Sequence, residues 1–510
     1  MAIPEAQEMT TTWNGALSHA TTTSGRVDLF YHVLRSTSEE RVAQLMNASF
    51  NEDPLHTLKI VAYIRDIRGG KGERTVARYA LKWLAIHHPD ELKHNLKHYV
   101  AEYGRFDDLL ALVDTPVETF ALTVYADQLI QDLTALQEQK PVSLCAKWVP
   151  SEKKAADKTS RVNAKLAKAM GMTPADLRKT YLSPLRANMK LLEQFMSAND
   201  WESIDLNKVP SVAMYIHGKP KHAFPRHIVN KFYQWKESQQ TDKTKVNAAI
   251  VFPHQIVEQY FMKTREVDEL LEAQWKVIVE EARKIGNLTK TLVLSDVAIS
   301  MDDLAIMVSI ALGILISEVV EGEFNGLVLT FQTNPQFHRV VGANLRDKVQ
   351  CLAAAEWGGS TDLLAALRLV LKTALDKNVP QDRMPTKLIV LTDMQFNEAD
   401  SNYETNFEVL KREYMEAGYE VPHLIFWDLD GTTTDAPTMA KKTNVSLLSG
   451  FSPANLKAAL TIESFTPFQT MMNAILDARY DLIKLPPSGS NKEDAEIVSM
   501  RLVQPNIYQD

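Results

Sequence analysis

Three short segments in the second half of the chain carry oxygen donors: Asp296-Val-Ala298-Ile-Ser300, Gly358-Gly359-Ser360-Thr361 and Leu391-Thr392-Asp393. Asp296 closes the apolar run TLVLSD, Thr361 stands in a loop that opens a helix, and Asp393 closes KLIVLTD. Ligands of open parallel sheets bind beyond the carboxyl ends of the strands, where all three segments fall. Carboxylates and hydroxyls brought to one sheet edge suit a hard, oxygen-seeking cation such as Mg²⁺.

Cations form the second constellation. Residues 147–245 hold 19 Lys and Arg against 9 Asp and Glu, in a chain of formal net charge -8. Residues 286–510 hold 18 against 29. A local excess of this kind concentrates polyanions near its surface, and nucleic acid is the obvious one. Lys147, Lys153, Lys154, Arg161, Lys165 and Lys168 recur along helix faces, and Lys219, Lys221, His222 and Arg226 share a loop containing Gly and Pro. Phosphate contacts from such groups fix position without reading sequence. Trp148, Tyr181, Trp201, Tyr215, Phe224, Tyr233 and Trp235 lie in the same block, and aromatic faces beside cations suit stacked single strands.

A further cluster, Arg65, Arg68, Lys71 and Arg74, surrounds Gly69, Gly70 and Gly72, glycines that permit close approach to phosphate or a tight interhelical turn. The segment is not a P-loop, because GGKGER lacks the required spacing. Plainer readings stand beside both clusters: a solvated basic face that pairs with the acidic half, and arginines paired with Asp66, Glu73 and Asp107.

The elements that must position these residues change character along the chain. From Asp53 to about Lys284 the pattern is helical, with Val76, Tyr79, Ala80, Trp83, Leu84 and His87 marking one face. Thr173-Pro174-Ala-Asp176 reads as a capped helix start, and Ser183-Pro184 opens a helix towards Asn199. Strand-like alternation is scarce here, which predicts antiparallel helix pairs of a helical-repeat, HEAT-like kind. From Thr291 nearly continuous apolar strands alternate with helices, which specifies a doubly wound parallel sheet covered on both faces. The stretch Leu304–Ile316 is too short to span a bilayer and reads as a buried helix. The expected organisation is a segment 1–52 packing on the helical region, a helical region 53–285, an α/β domain 286–462, and a C-terminal helix and tail 463–510 that strap back onto the first half.

Composition excludes several classes. At 45% apolar and 24% charged the chain matches an ordinary globular protein, and 510 residues exceed what one core usually supports. Cys145 and Cys351 form no CxxC pair, so neither a disulfide framework nor a cysteine zinc site is expected. The start MAIPEAQEMTTTWNGA lacks a basic or apolar leader region, no apolar run spans a bilayer, and a cytoplasmic location is expected.

The metal-type segments resemble the adhesion site of von Willebrand factor A domains, written DxSxS, then Thr, then Asp. The resemblance implies Mg²⁺ held by Asp296, Ser300, Thr361 and Asp393. The sequence departs at Ala298, where the family has the first of two directly ligating serines, so the implied site is degenerate. It is either a working metal site or a fold kept after metal binding was lost. RDIRGGKGER, YGRFDDLL, KWVPSE, LSPLR and VPSVA, with LTDMQF, AGYEVPHLIFW and LLSGFSP, resemble a family that joins a TROVE-like helical region to such a domain. That architecture is similar to the Ro autoantigen proteins, which implies binding of noncoding or misfolded RNA, with single-stranded ends as the target.

Asp428-Leu-Asp430-Gly431-Thr432, after the strand HLIFW, resembles the DxDGT motif of haloacid-dehalogenase-type phosphatases, in which one carboxylate attacks phosphorus and the other is acid and base. That fold begins with this strand, whereas here it falls late, with 78 residues following Thr432. The sequence therefore points to a noncatalytic, Ro-like RNA-binding protein. A metal-dependent protein-interaction adaptor is the alternative, with the phosphatase behind it, and no membrane is involved.

Overall fold

The computed structural model describes residues 9–487 apart from 220, 242–251, 264–265, 285–288, 298–300, 302, 332–333, 356–361, 398–405, 432, 453, 456 and 459–465. The chain divides into two units. One comprises Met1–Asp53, Ile67–Glu73 and Asp205–Asp477, and the other Pro54–Asp66, Arg74–Ile204 and Ala478–Asp510. The expected boundary at 285/286 thus falls inside the first unit.

The first unit is built on a sheet. After a hairpin of β1 (Met9–Thr11) and β2 (Leu17–His19), its strands are β3 (Thr291–Ser295), β4 (Leu327–Thr330), β5 (Gln336–Arg339), β6 (Lys387–Thr392), β7 (His423–Asp428) and β8 (Val445–Ser449). The order is β5-β4-β3-β6-β7-β8, and every pairing is parallel except that β5 runs antiparallel to β4. The sequence pattern predicted the parallel interior. It missed the reversal of β5, a short edge strand whose exposed ends carry no continuous apolar run. β3, β7 and β8 are buried throughout, as strands covered on both faces must be. The helix Asp303–Val319 supplies much of that cover and is buried on nearly all sides, and Ser295 Oγ meets its Ser309 Oγ at 2.8 Å.

The N-terminal segment joins this unit. Its helices α1 (Gly25–His32) and α2 (Glu39–Glu52) are capped by the Ser24 and Ser38 side chains. α1 packs against β8 and α2. The expectation that residues 1–52 pack on the helical region is therefore corrected: Val27, Leu29, Phe30 and Tyr31 are all buried in the sheet unit.

The second unit is helical. α3 (Pro54–Arg65), α4 (Arg74–His87), α5 (Pro89–His98) and α6 (Glu118–Gln137) lead into shorter helices as far as Met189. The predicted face of α4 buries Val76, Ala80, Trp83 and Leu84. His87 instead lies out on the surface, stacked on Trp83 with ring centroids 4.7 Å apart. The cap at Thr173 is as the sequence implies: Thr173 Oγ1 accepts from Asp176 N at 3.2 Å and donates to its carboxylate at 2.7 Å. The helix from Ser183 stops at Met189, because Lys190 adopts φ 46° and turns the chain before Leu192–Ser197. The C-terminal helix spans Pro467–Ile475, shorter than the pattern suggests, and the chain leaves it to place Arg479 and Tyr480 on Asp66 of the helical unit. Residues 478–487 thus lie in the helical unit, while the rest of the tail, from residue 488, lies outside the described residues.

Candidate functional site

Strands β3 and β6 are neighbours at the point where the strand order reverses, the place at which open α/β sheets bind their ligands. Asp296 follows β3 and Asp393 follows β6, and both are buried. Asp296 N continues the ladder to Leu391 O at 2.9 Å. Thr392, at the end of β6, donates its hydroxyl to Asp296 Oδ2 at 2.7 Å, with Asp393 Oδ1 at 3.5 Å. The chain then reverses at Met394, a buried residue with φ 64°, whose N–H returns to Thr392 Oγ1 at 3.1 Å. A bulky residue in that backbone region is strained and needs its surroundings to hold it. Gln395 N donates to Asp393 Oδ1 at 3.0 Å, so the turn that carries the strain also aims the carboxylate.

The donors fit a hard cation in kind, since all are carboxylate or hydroxyl oxygens. Among the described residues no group of three or more His, Cys, Asp or Glu side chains stands in an arrangement to hold a metal. Any cation there depends on hydroxyl donors as well, and the two named from the sequence, Ser300 and Thr361, lie outside the described residues. Thr392 and Gln395 went unremarked as site residues. Thr392 was visible as the hydroxyl next to Asp393, whereas Gln395 had no sequence signal.

The hairpin β1–β2 is fastened beside Asp393. Trp13 N donates to Gln395 Oε1 at 2.7 Å, Asn14 Nδ2 to Gln395 O at 2.7 Å, and Thr12 Oγ1 to Phe396 O at 2.6 Å. These bonds fix the backbone of the turn and leave the Trp13 side chain 89% exposed.

One strand further on, Asp428 ends β7 and is wholly buried. Asp430 N donates to its Oδ1 at 2.8 Å, while Oδ2 has no hydrogen-bond partner. Burial pushes its carboxyl well above the ordinary carboxylate range, with the charges of Asp430 and Asp393 adding to the effect and Lys71 opposing it. A phosphatase nucleophile must be ionised and reachable. Asp428 is neither exposed nor on the first strand of its sheet, and Thr432 lies outside the described residues.

The basic cluster of residues 65–74 is divided by the fold. Arg65 is buried in the helical unit, where its Nε donates to Asp108 Oδ2 at 2.7 Å, and Arg78 Nε takes Asp108 Oδ1 at 2.7 Å. Lys71 is buried in the sheet unit. Its Nζ donates to the carbonyls of Phe30 at 2.5 Å and Val33 at 2.9 Å and to Ser449 Oγ at 2.6 Å, so it caps the carboxyl end of α1. Burial outweighs this cage and the charges of Glu73 and Asp428, and lowers its pKa to about 7. Neither Arg65 nor Lys71 is presented to a phosphate, which corrects two of the residues proposed for RNA. Arg68 and Arg74 are exposed. The acids Asp66, Glu73 and Asp107 do take arginines, among them Arg479, Arg35 and Arg105.

The long basic block is also divided. Residues 147–204, in the helical unit, hold 11 Lys and Arg against 6 acids, and residues 205–245, in the sheet unit, hold 8 against 3. In the helical unit Lys147 pairs with Glu193 at 3.1 Å, and Lys165 bridges Asp114 at 3.0 Å and Glu118 at 2.8 Å. Lys153, Lys154, Arg161 and Lys168 are exposed, Lys153 alongside Glu152 at 3.2 Å. In the sheet unit Lys221, His222 and Arg226 are exposed, and Lys219 sits over the Tyr215 ring at 4.0 Å. Among the aromatics Phe224 is core, Trp148 lies under the Arg105 guanidinium at 4.0 Å, and Tyr233 is 47% exposed.

Residues 12–121 and 118–288 match the model of a domain of unknown function, DUF2828, and residues 290–498 match a second, DUF7788. The chain belongs to the DUF2828 family. It is 32% identical over 525 residues to the uncharacterized protein L728 of Acanthamoeba polyphaga mimivirus, a match covering 96% of this chain and 90% of that protein. Among solved structures it is similar to the RO (RSR) protein of Deinococcus radiodurans, with 14% identity, 86% of this chain and 99% of that one covered, and a TM-score of 0.49. No helix among the described residues is long and apolar enough to cross a membrane.

Proposed function

We propose that this chain is a noncatalytic, cytoplasmic RNA-binding protein of Ro-like organisation, which holds RNA through the basic surface of its helical unit. The surface of residues 153–190 carries this reading. That stretch contains ten Lys and Arg and two acids. Eight of the ten are exposed: Lys153, Lys154, Lys158, Arg161, Lys168, Arg178, Lys179 and Lys190. Both acids are engaged by their own local chain. Asp157 is buried and accepts from the N–H groups of Lys153 and Asn163, each at 2.9 Å, and the exposed Asp176 accepts from Thr173 Oγ1 at 2.7 Å and Thr173 N at 3.4 Å. Local chain geometry thus takes up the acids and leaves the cations facing solvent, which favours a polyanion.

The sheet unit supports an A-domain reading through its strand order. Numbered within the sheet alone the order is 3-2-1-4-5-6, with the third strand reversed at one edge. Asp296 and Asp393, with Ser300 and Thr361, would hold Mg²⁺ there. A bound cation would supply a Lewis-acid anchor for an oxygen of a partner. Thr392 and Gln395 orient the two carboxylates. Trp13, whose backbone is fixed beside this edge while its side chain is exposed, favours a second reading in which the sheet unit captures a protein partner, since tryptophan is enriched among the residues that anchor protein interfaces.

Nuclease-treated protein titrated with labelled single-stranded and duplex RNA across a salt series tests the first reading. Each phosphate contact to a single strand contributes about 0.7 to the slope of log K against log salt, so Lys154→Glu, Arg161→Glu and Lys168→Glu together should lower it by about 2. An unchanged affinity and slope removes this surface from the proposal. Repeating the titration with Mg²⁺ and with chelator separates the readings, because only capture at the sheet edge requires the cation.

A further inference from the structure

We infer that residues 478–487 lie on the helical unit as a bound peptide segment, and that the groove they fill is a receptor for segments of the same chemistry: an Arg–Tyr pair in a tight turn followed by a buried aliphatic residue. This inference is independent of RNA binding.

Both halves of the contact belong to the helical unit. Asn95, fully buried on α5, grips the main chain of Lys484 from both sides: its Nδ2 donates to Lys484 O at 2.7 Å, and its Oδ1 accepts from Lys484 N at 2.9 Å. The same Nδ2 is oriented by Glu91 O at 2.9 Å. Tyr103 donates its hydroxyl to Arg479 O at 2.7 Å. Side chains that hold a segment by its backbone recognise the path of the chain whatever its sequence, while pockets for individual side chains supply specificity. Those pockets are present. Asp66, buried at the end of the α3 segment, takes Arg479 through both its Nε and its Nη2, the latter at 2.8 Å, and accepts the Tyr480 hydroxyl at 3.1 Å. The Tyr480 ring lies between Tyr63 and Tyr103, centroids at 6.0 and 5.4 Å. Ile483 is 1% exposed, whereas its neighbours Leu482 and Leu485 face solvent. Beyond the 3₁₀ turn at Ala478–Tyr480 and the turn that follows it at Asp481–Leu482, the segment has no helix or strand of its own, and its side chains and backbone are held by the groove.

Tethering explains the cis occupancy, since a segment joined to its receptor by a short linker has an effective concentration of about millimolar. The test therefore weakens the tether's advantage in the full-length chain. Arg479→Ala with Tyr480→Ala should free the groove, and a fluorescein-labelled peptide of residues 477–487 should then bind saturably by anisotropy, at least tenfold more tightly than to wild type. Adding Asn95→Ala should remove that gain. A folded double variant, with wild-type circular dichroism, that takes up no peptide overturns the inference, as does binding indifferent to Asn95→Ala. Should the double variant not fold, a protease site placed at the exposed Leu476–Asp477 leaves the wild-type segment bound without a covalent link. Exchange with labelled peptide is then expected, and its failure makes the segment a fixed part of the fold.

Discussion

Lys71 offers the sharpest division between a phosphate ligand and a structural cation. Its ordinary pKa of 10.5 is lowered to about 7 in the fold by burial. Between those values the unfolded chain carries a proton that the folded chain has shed, so stability rises with pH across the window. From pH 7 to pH 9.5 a shift of this size is worth about 3 kcal/mol, taking 1.36 kcal/mol per unit and allowing for half-titration at the lower pH. Lys71→Met keeps the apolar stem and removes the titrating group. Urea titrations of wild type and variant at both pH values isolate its contribution, because the other lysines and tyrosines are common to both proteins. Wild type should gain about 3 kcal/mol more than Lys71→Met on going to pH 9.5. Parallel pH dependences, together with weaker RNA binding by the variant, would return Lys71 to the surface and refute its role as a helix cap.

Two further outcomes follow from buried charge. Asp108→Ala leaves Arg65 and Arg78 without their shared carboxylate and should destabilise the helical unit by about 3–5 kcal/mol, whereas Arg161→Ala at the exposed surface should change its melting by less than about 0.5 kcal/mol. On acidification, burial lowers His32 and His254 to about 3 and His423 to about 4 from an ordinary 6.5. The unfolded chain therefore binds protons first, and stability should fall between pH 6 and pH 4 by up to about 4 kcal/mol per unit for three groups. His254→Phe should reduce that slope by a third, and a slope unchanged by the variant would show that His254 is not held neutral.

Much of this architecture was legible because it rests on periodicity. Short apolar runs such as KLIVLT and HLIFWD, rich in β-branched and aromatic residues, read as strands buried on both faces, and their alternation with helices places the polar ends of β3 and β6 at one edge. Asp296 and Asp393 were found this way, since a strand that ends in a carboxylate marks itself. The cap at Thr173 was legible for a similar local reason, its hydrogen bonds closing within three residues. The reversal of β5 was not, because strand direction depends on the partner, and four residues with exposed ends and a half-buried middle carry no mark of direction.

Charge is what the sequence by itself could not allocate. Lys71 and Lys154 are the same residue type in comparably basic surroundings, yet one is sealed against Ser449, 378 positions away, and the other faces solvent. Arg65 and Arg161 differ in the same way. Composition determined that residues 147–245 carry a large excess of cations, and tertiary structure decided that the excess is split between two units and that Lys165 is spent on Asp114 and Glu118. The physical reason is range. Helix and strand patterns are set by neighbours within a few residues, whereas the partner of a cation is whatever carboxylate or carbonyl the fold brings within about 3 Å, and the local sequence does not specify it.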